Sequence, residues 1–270
     1  MEKEKYLIGD VANLMGLSRD TLRYYEKRGI LSSEKGDNGY RYYSERDISK
    51  LIGILYQRKM DIALDDMEQL WTEDGTLDKL TRITRIRLEE EEKEIRRHRQ
   101  TIARLQITQN DCENINHHLN QVTMHNFPSA YVIVPHTTIK ESVELWFQYA
   151  RDYSGLDMMY AFDEYTWKPE GDSVSTEYKN TQLILQQELK PVVDYELNEL
   201  STPVTQPALC VSSFCISENR TPAPSVILPM IQWAKQQGLM ISHQLFSTFA
   251  FQGLHRGRNI YYLQIYIPVF

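Results

Sequence analysis

The chain has 270 residues, 41% hydrophobic and 25% charged, with a formal net charge of -7. That length suffices for two compact domains and a connecting element, and the balance of residue types is that of an ordinary globular protein, not a disordered or fibrous one. No apolar run reaches the roughly 18 residues of a membrane span, and Met1-Glu2-Lys3-Glu4-Lys5 lacks the apolar stretch of a secretion signal. Cys112, Cys210 and Cys215 are too few and too scattered for a disulfide framework, so a reducing, cytoplasmic location is expected.

The acidic total conceals an uneven distribution. Ser18 to Met60 holds 10 Lys and Arg against 6 Asp and Glu, whereas Gln121 to Phe270 holds 9 against 14. A basic segment therefore precedes an acidic domain, and a nucleic-acid partner needs only the local patch.

In chain order, Val11, Ala12, Leu14 and Met15 have helical spacing that ends at Gly16. Ser18 is a good N-cap for a second helix through Lys27, stopped by Gly29. Two helices joined by so short a turn predict a helix-turn-helix, whose second helix enters the major groove. Gly36, Asp37, Asn38 and Gly39 then precede Tyr40-Arg41-Tyr42-Tyr43, the pattern of a hairpin wing with an aromatic, basic returning strand. Helices over Ser44–Gln57 and Asp65–Trp71 follow.

From 77 to 119 there is no Pro or Gly. Leu88, Ile95 and Ile102 recur every seven residues, as do Leu105, Cys112 and Leu119. The heptads predict one long helix, roughly 60 Å at about 1.5 Å per residue, paired in a coiled coil. Glu91, His98, Gln109 and Asn116 interrupt the seam, which leaves a long solvated helix packed on its own domain as the alternative.

Beyond Asn126-Phe127-Pro128, apolar runs at Ala130–Val134, Leu183–Leu185, Ala208–Val211, Leu245–Phe251 and Tyr261–Ile267 read as strands. Helical patterns interrupt them at Ile139–Tyr153 and Pro224–Gln237, the second stopped by Gly238. The whole predicts an α+β chain divided at 1–75, 76–120 and 121–270, with internal duplication in the last part.

Leu7-Ile8-Gly9-Asp10-Val11-Ala12, Thr21-Leu22-Arg23-Tyr24-Tyr25-Glu26 and Gly39-Tyr40-Arg41-Tyr42-Tyr43 together carry a close resemblance of residues 7–71 to the MerR DNA-binding domain. This resemblance implies DNA contacts from Ser18, Arg19, Thr21, Arg23, Tyr24, Arg41, Tyr42, Arg58 and Lys59, with Tyr25 partly structural. The residue types suit that role, since planar guanidinium forks match phosphate or guanine and tyrosines pair a hydroxyl with a flat apolar body. Where the family pattern usually places Gly, this chain has Asp61, a residue that tolerates left-handed backbone. The family further implies a homodimer joined by an antiparallel coiled coil. It also implies an activator that distorts promoter DNA for RNA polymerase when a ligand binds. No cofactor is expected.

The third region resembles a GyrI-like effector-binding domain, which implies an aromatic-lined pocket for a lipophilic, cationic molecule. Strand parity and helix spacing nominate Trp146, Tyr149, Tyr160, Phe162, Glu164, Ser247, Phe249 and Tyr261. Ser247 stands where a drug-sensing relative carries the pocket Glu, leaving Asp163, Glu164 and Glu188 as other carboxylates. Two alternatives stay open. Cys112, His117, His118 and His125 would form a thiolate and imidazole metal site in a metal- or redox-responsive regulator. A hydrolytic C-terminal domain would need a Ser-His-acid or Cys-His set. None has interpretable spacing here, and His243 and His255 have no evident partners, so no enzymatic activity is expected.

Overall fold

The computed structural model describes residues 5–72, 77–197, 202–205, 208–255 and 257–270. The expected boundary at 75 and 76 lies outside the described residues. Two compact units divide the chain, Met1–Ile95 and Arg96–Phe270. One helix, α5 (Leu77–His118), runs from the first into the second, as the uninterrupted heptad region predicts.

The first unit begins with β1 (Lys5–Leu7) and α1 (Ile8–Met15), which ends where Gly16 adopts φ 65°. The N–H of Gly16 then reaches back to the carbonyls of the last turn, a closure that a β-carbon would strain. In α2 (Arg19–Lys27) the Ser18 side chain accepts from the Thr21 N–H, satisfying one of the free donors of the first turn. The wing is β2 (Glu34–Lys35) paired antiparallel with β3 (Arg41–Ser44), and β1 pairs with the other edge of β3. Ser44 and Asp47 form a reciprocal capping box that starts α3 (Glu45–Lys59), and α4 (Leu64–Thr72) follows. Asp61 between them has φ 53°, a left-handed geometry that Asp tolerates better than most residues. Val11, Leu22, Tyr25, Ile30, Leu51, Ile54, Ile62 and Met67 close a single core, with Leu80 and Ile83 of α5 packed against it.

Among the described residues, the second unit holds the end of α5, a seven-stranded antiparallel sheet and two further α-helices. Its strands are β4 (Val122–Asn126), β5 (Ala130–Thr137), β6 (Tyr160–Glu170), β7 (Ser173–Gln186), β8 (Leu209–Ser217), β9 (Gln244–His255) and β10 (Arg258–Pro268). The helices are α6 (Ile139–Asp152) and α7 (Pro224–Gln236). Sheet order is β4-β8-β10-β9-β6-β7-β5. Each half repeats strand, helix, strand, strand, and the last strand of each half lies between the other two. The repeats meet where β6 pairs with β9, with Asp163 opposite Ser247.

Both helices pack on one face. Ile227, Met230, Ile231 and Ala234 of α7 cover Val211, Cys215, Leu263 and Ile265. Leu145, Trp146 and Tyr149 of α6 cover Leu183 and Leu185, with Ala103 and Ile107 of α5 beside them. The opposite face is also apolar, holding Phe162, Cys210 and Tyr266 with Phe127 and Phe246. Cys210 and Cys215 therefore point to opposite faces, as their five-residue spacing on a strand requires.

Candidate functional site

Two places in the molecule gather the residues singled out above. On α2, successive side chains turn by about 100°, so one face serves the core and the other is free. Leu22 and Tyr25 are buried, whereas Tyr24 is 48% exposed and Arg19, Arg23 and Lys27 are exposed. Arg23 pairs with Asp20 at 2.9 Å, with both side chains more than half exposed. The Arg19 guanidinium lies over Gly9, where a β-carbon would approach it to 3.0 Å. Thr21 and Ser18 hydroxyls share a hydrogen bond of 2.8 Å.

The wing is latched to this helix. Glu26, in α2, accepts from Arg41 Nε at 2.9 Å and from the Tyr43 hydroxyl at 2.8 Å. Burial first, and the Glu26 carboxylate second, push the Tyr43 phenol well above its ordinary range. Arg41 thus has an internal role that sequence reasoning missed. Tyr42 accepts from Asn38 Nδ2 at 2.8 Å, bracing the wing tip. Arg58 and Lys59 are exposed at the end of α3, and Arg58 Nη1 donates to the Ile62 carbonyl at 3.3 Å.

In the second unit, a cavity of about 430 Å³ opens between α6 and the sheet, lined by Trp146, Phe147, Met159, Arg220, Phe249 and Tyr261 among others. A neighbouring cavity of about 390 Å³ shares Trp146, Met159 and Phe249 and reaches Tyr160, Asp111 and Arg104. Trp146, Phe249 and Tyr261 therefore converge on one cavity, with Tyr160 in the next.

The other nominated residues go elsewhere. Tyr149 packs in a ring cluster with Tyr153 and Tyr195. Phe162 is buried on the opposite face of the sheet against Phe127 and Tyr266. Glu164 is held by Asn180 at 2.8 Å and by Gln244 at 3.2 Å. Glu188 lines a third concavity, between α5 and the turn after β7. Ser247 is buried, and its Oγ has no hydrogen-bond partner among the described residues. Parity misplaced Phe162 because both faces of this sheet are covered, so an apolar side chain on either face finds a core.

The carboxylate in the heart of the unit is Asp163, 3% exposed, accepting from Thr181 Oγ1 at 2.7 Å and paired with Arg220 at 3.2 Å. Burial raises its pKa, with Arg220 opposing that shift. The Arg220 guanidinium lies 5.1 Å from the centroid of the Phe249 ring. Nothing in the local sequence links Arg220 to Asp163, 57 positions away.

Asp111 of α5 offers a pH handle. Burial pushes its carboxyl up to about 6, partly opposed by the Tyr160 hydroxyl that donates to it at 3.3 Å. The folded chain then holds this proton more tightly than the unfolded chain. The contribution to stability is full below the ordinary value of 3.8 and is lost as pH rises through about 6. Asp111→Asn should abolish that slope and add about 1–2 kcal/mol at neutral pH, after allowance for residual solvent contact. Urea unfolding of both proteins across this range checks it, and parallel profiles would reject the assignment.

Among the described residues, no three His, Cys, Asp or Glu side chains come together as a ligand group. His118 and His125 rings lie 5.3 Å apart, His117 Nδ1 contacts the Glu113 carbonyl, and Cys112 is exposed. His243 packs on Trp167, its ring centroid 4.8 Å away, and the His255 side chain lies outside the described residues. No helix among the described residues is long and apolar enough to cross a membrane.

Residues 7–43 match the model of the MerR family regulatory proteins. The transcriptional regulator BrlR of Pseudomonas aeruginosa is 38% identical over 73 residues, 26% of this chain and 27% of that protein. The mercuric resistance operon regulatory protein of Bacillus cereus is 31% identical over 67 residues, 24% of this chain and 51% of that one. The matched segment thus spans from about a quarter to about a half of these relatives. A solved EcmrR–DNA complex covers 98% of this chain and 99% of its own, at 16% identity and a TM-score of 0.36. The sequence match and the winged helix-turn-helix agree, and the head of the chain is similar to that of the MerR family regulatory proteins over residues 7–43.

Proposed function

We propose that the chain is a cytoplasmic, homodimeric transcriptional activator that binds promoter DNA through its head and a small lipophilic molecule through its C-terminal domain. The functional division follows 1–75 for DNA, 76–120 for pairing and 121–270 for the ligand, a GyrI-like effector domain. Ligand binding favours one of two dimer states, and the favoured state bends promoter DNA so that RNA polymerase engages it. The observation that carries the reading is the division of α2 into a buried face, Leu22 and Tyr25, and an exposed one, Arg19, Arg23 and Tyr24. An exposed basic and aromatic face on the second helix of a helix-turn-helix suits phosphates and base edges. The cavity beside Trp146, Phe249 and Tyr261 supports the ligand half of the reading.

The test uses a duplex selected from a random library by the wild-type chain. Arg23→Ala should weaken binding by about 1–3 kcal/mol and make the salt dependence shallower, without loss of stability. Arg41→Ala should weaken binding and also destabilise the head, because it breaks the latch to Glu26. Affinity and salt slope unchanged in Arg23→Ala would sink the proposed DNA face.

A further inference from the structure

The cavity bounded by Trp146, Phe147, Phe249 and Tyr261 has one fixed charge in its lining among the described residues, and that charge is positive. Arg220 sits in the loop between β8 and α7, with its side chain 19% exposed. Asp163 lies behind it, and both carboxylate oxygens are engaged, Oδ1 by Thr181 and by Arg220 Nη2, Oδ2 by Arg220 Nη2. Arg220 lines the cavity, whereas Asp163 does not.

Two contacts hold that guanidinium in place, the Asp163 pair and the face of Phe249. Its Nε–H is buried without a hydrogen-bond partner among the described residues. A charged donor left unpaired away from water is costly, and an oxygen acceptor brought in by a ligand relieves that cost. A lipophilic cation meets the opposite situation. The place over Phe249 where cation–π attraction would hold it is filled by the protein's own cation, and its charge faces a like charge. Phe147 is largely exposed at the rim and Val143 beside it is half exposed, apolar surface that an aromatic body would cover.

We infer that the cavity takes an aromatic anion, a ring system bearing one carboxylate or equivalent oxyanion, with Arg220 as its charge partner, anchored by Asp163 and Phe249. This rests on the ligand-binding reading of the C-terminal domain and replaces the cationic ligand class that the family resemblance implies. Trp146 is already bonded through its Nε1–H to the Met159 carbonyl at 3.2 Å. It therefore supplies an apolar wall, and recognition of charge falls to Arg220.

The experiment is calorimetry on the full chain with three probes of one shape: naphthalene carboxylate, its primary amide and the naphthylmethylammonium cation. The carboxylate should bind at least about tenfold more tightly than either, the effect of a charge-assisted hydrogen bond. Arg220→Gln should erase that advantage and leave the amide unchanged. Because this change strands a buried carboxylate, Arg220→Gln combined with Asp163→Asn provides a neutral pair and should show the same loss. Equal affinity of carboxylate and amide for the wild type overturns the inference and leaves the cavity reading standing. Tightest binding by the ammonium, strengthened further in Arg220→Gln, also overturns it, since Arg220 would then be a stand-in displaced by cationic ligands. If none of the three binds, the inference and the cavity reading fall together.

Discussion

Replacing Ile95 and Ile102 with lysine is expected to convert a dimer into a monomer that no longer binds DNA specifically. On α5, Ile95 is 49% and Ile102 54% exposed, and Leu88 and Leu105 on the same seam are exposed as well. The residues of α5 that are buried within the chain, Gln100, Ala103 and Ile115, are not members of that seam. Gln100 is tied down by donating to the Val192 carbonyl and accepting from the Ser154 hydroxyl, both at 2.9 Å. The exposed stripe is therefore free to pair with a second copy, at the heptad spacing that knobs-into-holes packing needs. Burying an isoleucine contributes about 1.5–3 kcal/mol, and a dimer buries four of these side chains, so their loss should weaken association by about four decades or more. Lysine is a good helix former, so helix content should hold while the mass falls. Sedimentation equilibrium reads the mass and circular dichroism the helix. An unchanged dimer would reject this seam as the interface.

The second large effect is expected at Glu26. Its side chain is 15% exposed and joins the wing to α2 through Arg41 and the fully buried Tyr43. Glu26→Ala leaves a buried phenol and a partly buried guanidinium without their acceptor. That should cost about 2–4 kcal/mol, below the loss at a wholly buried pair because Arg41 still reaches water. At the size of this unit the change corresponds to roughly 10 °C or more in its thermal midpoint. Glu26→Gln keeps an acceptor for Tyr43 and should lose about half as much. A shift of less than about 2 °C in Glu26→Ala would mean that the wing is held by packing alone.

The head was readable because its signals are local. Ser18 caps a helix by reaching three residues ahead, Gly16 and Gly29 end helices where they stand, and Ser44 with Asp47 starts the next. The helices α6 and α7 and most C-terminal strands were legible for the same reason. By contrast β4, Val-Thr-Met-His-Asn, and the far end of β6, Trp-Lys-Pro-Glu, carry too few apolar residues to read as strands. They exist because β8 lies beside the first and β7 beside the second. Sheet order was illegible, since pairings such as Asp163 with Ser247 join residues 84 apart, and loop closure leaves no trace in composition. The cavity suffered most. Its aromatic residues Trp146, Phe249 and Tyr261 could be nominated from helix spacing and parity. Its charge could not, because Arg220 comes from a loop and the neighbouring Glu164, not Asp163, shares the nominated parity.

The unbroken course of α5 has a consequence for how the gene can change. Each inserted or deleted residue turns everything after it by about 100° about the helix axis. A single insertion between Ile95 and Ile102 would carry Ile102 and Leu105 out of line with Leu88 and Ile95, cutting one stripe into two that face different ways. Seven residues complete about two turns and restore the alignment to within some 20°. A change of seven residues, or of eleven, keeps the stripe nearly in line, whereas a change of one or two breaks it, so the helix acts as a ruler for whatever length changes the stretch can accept.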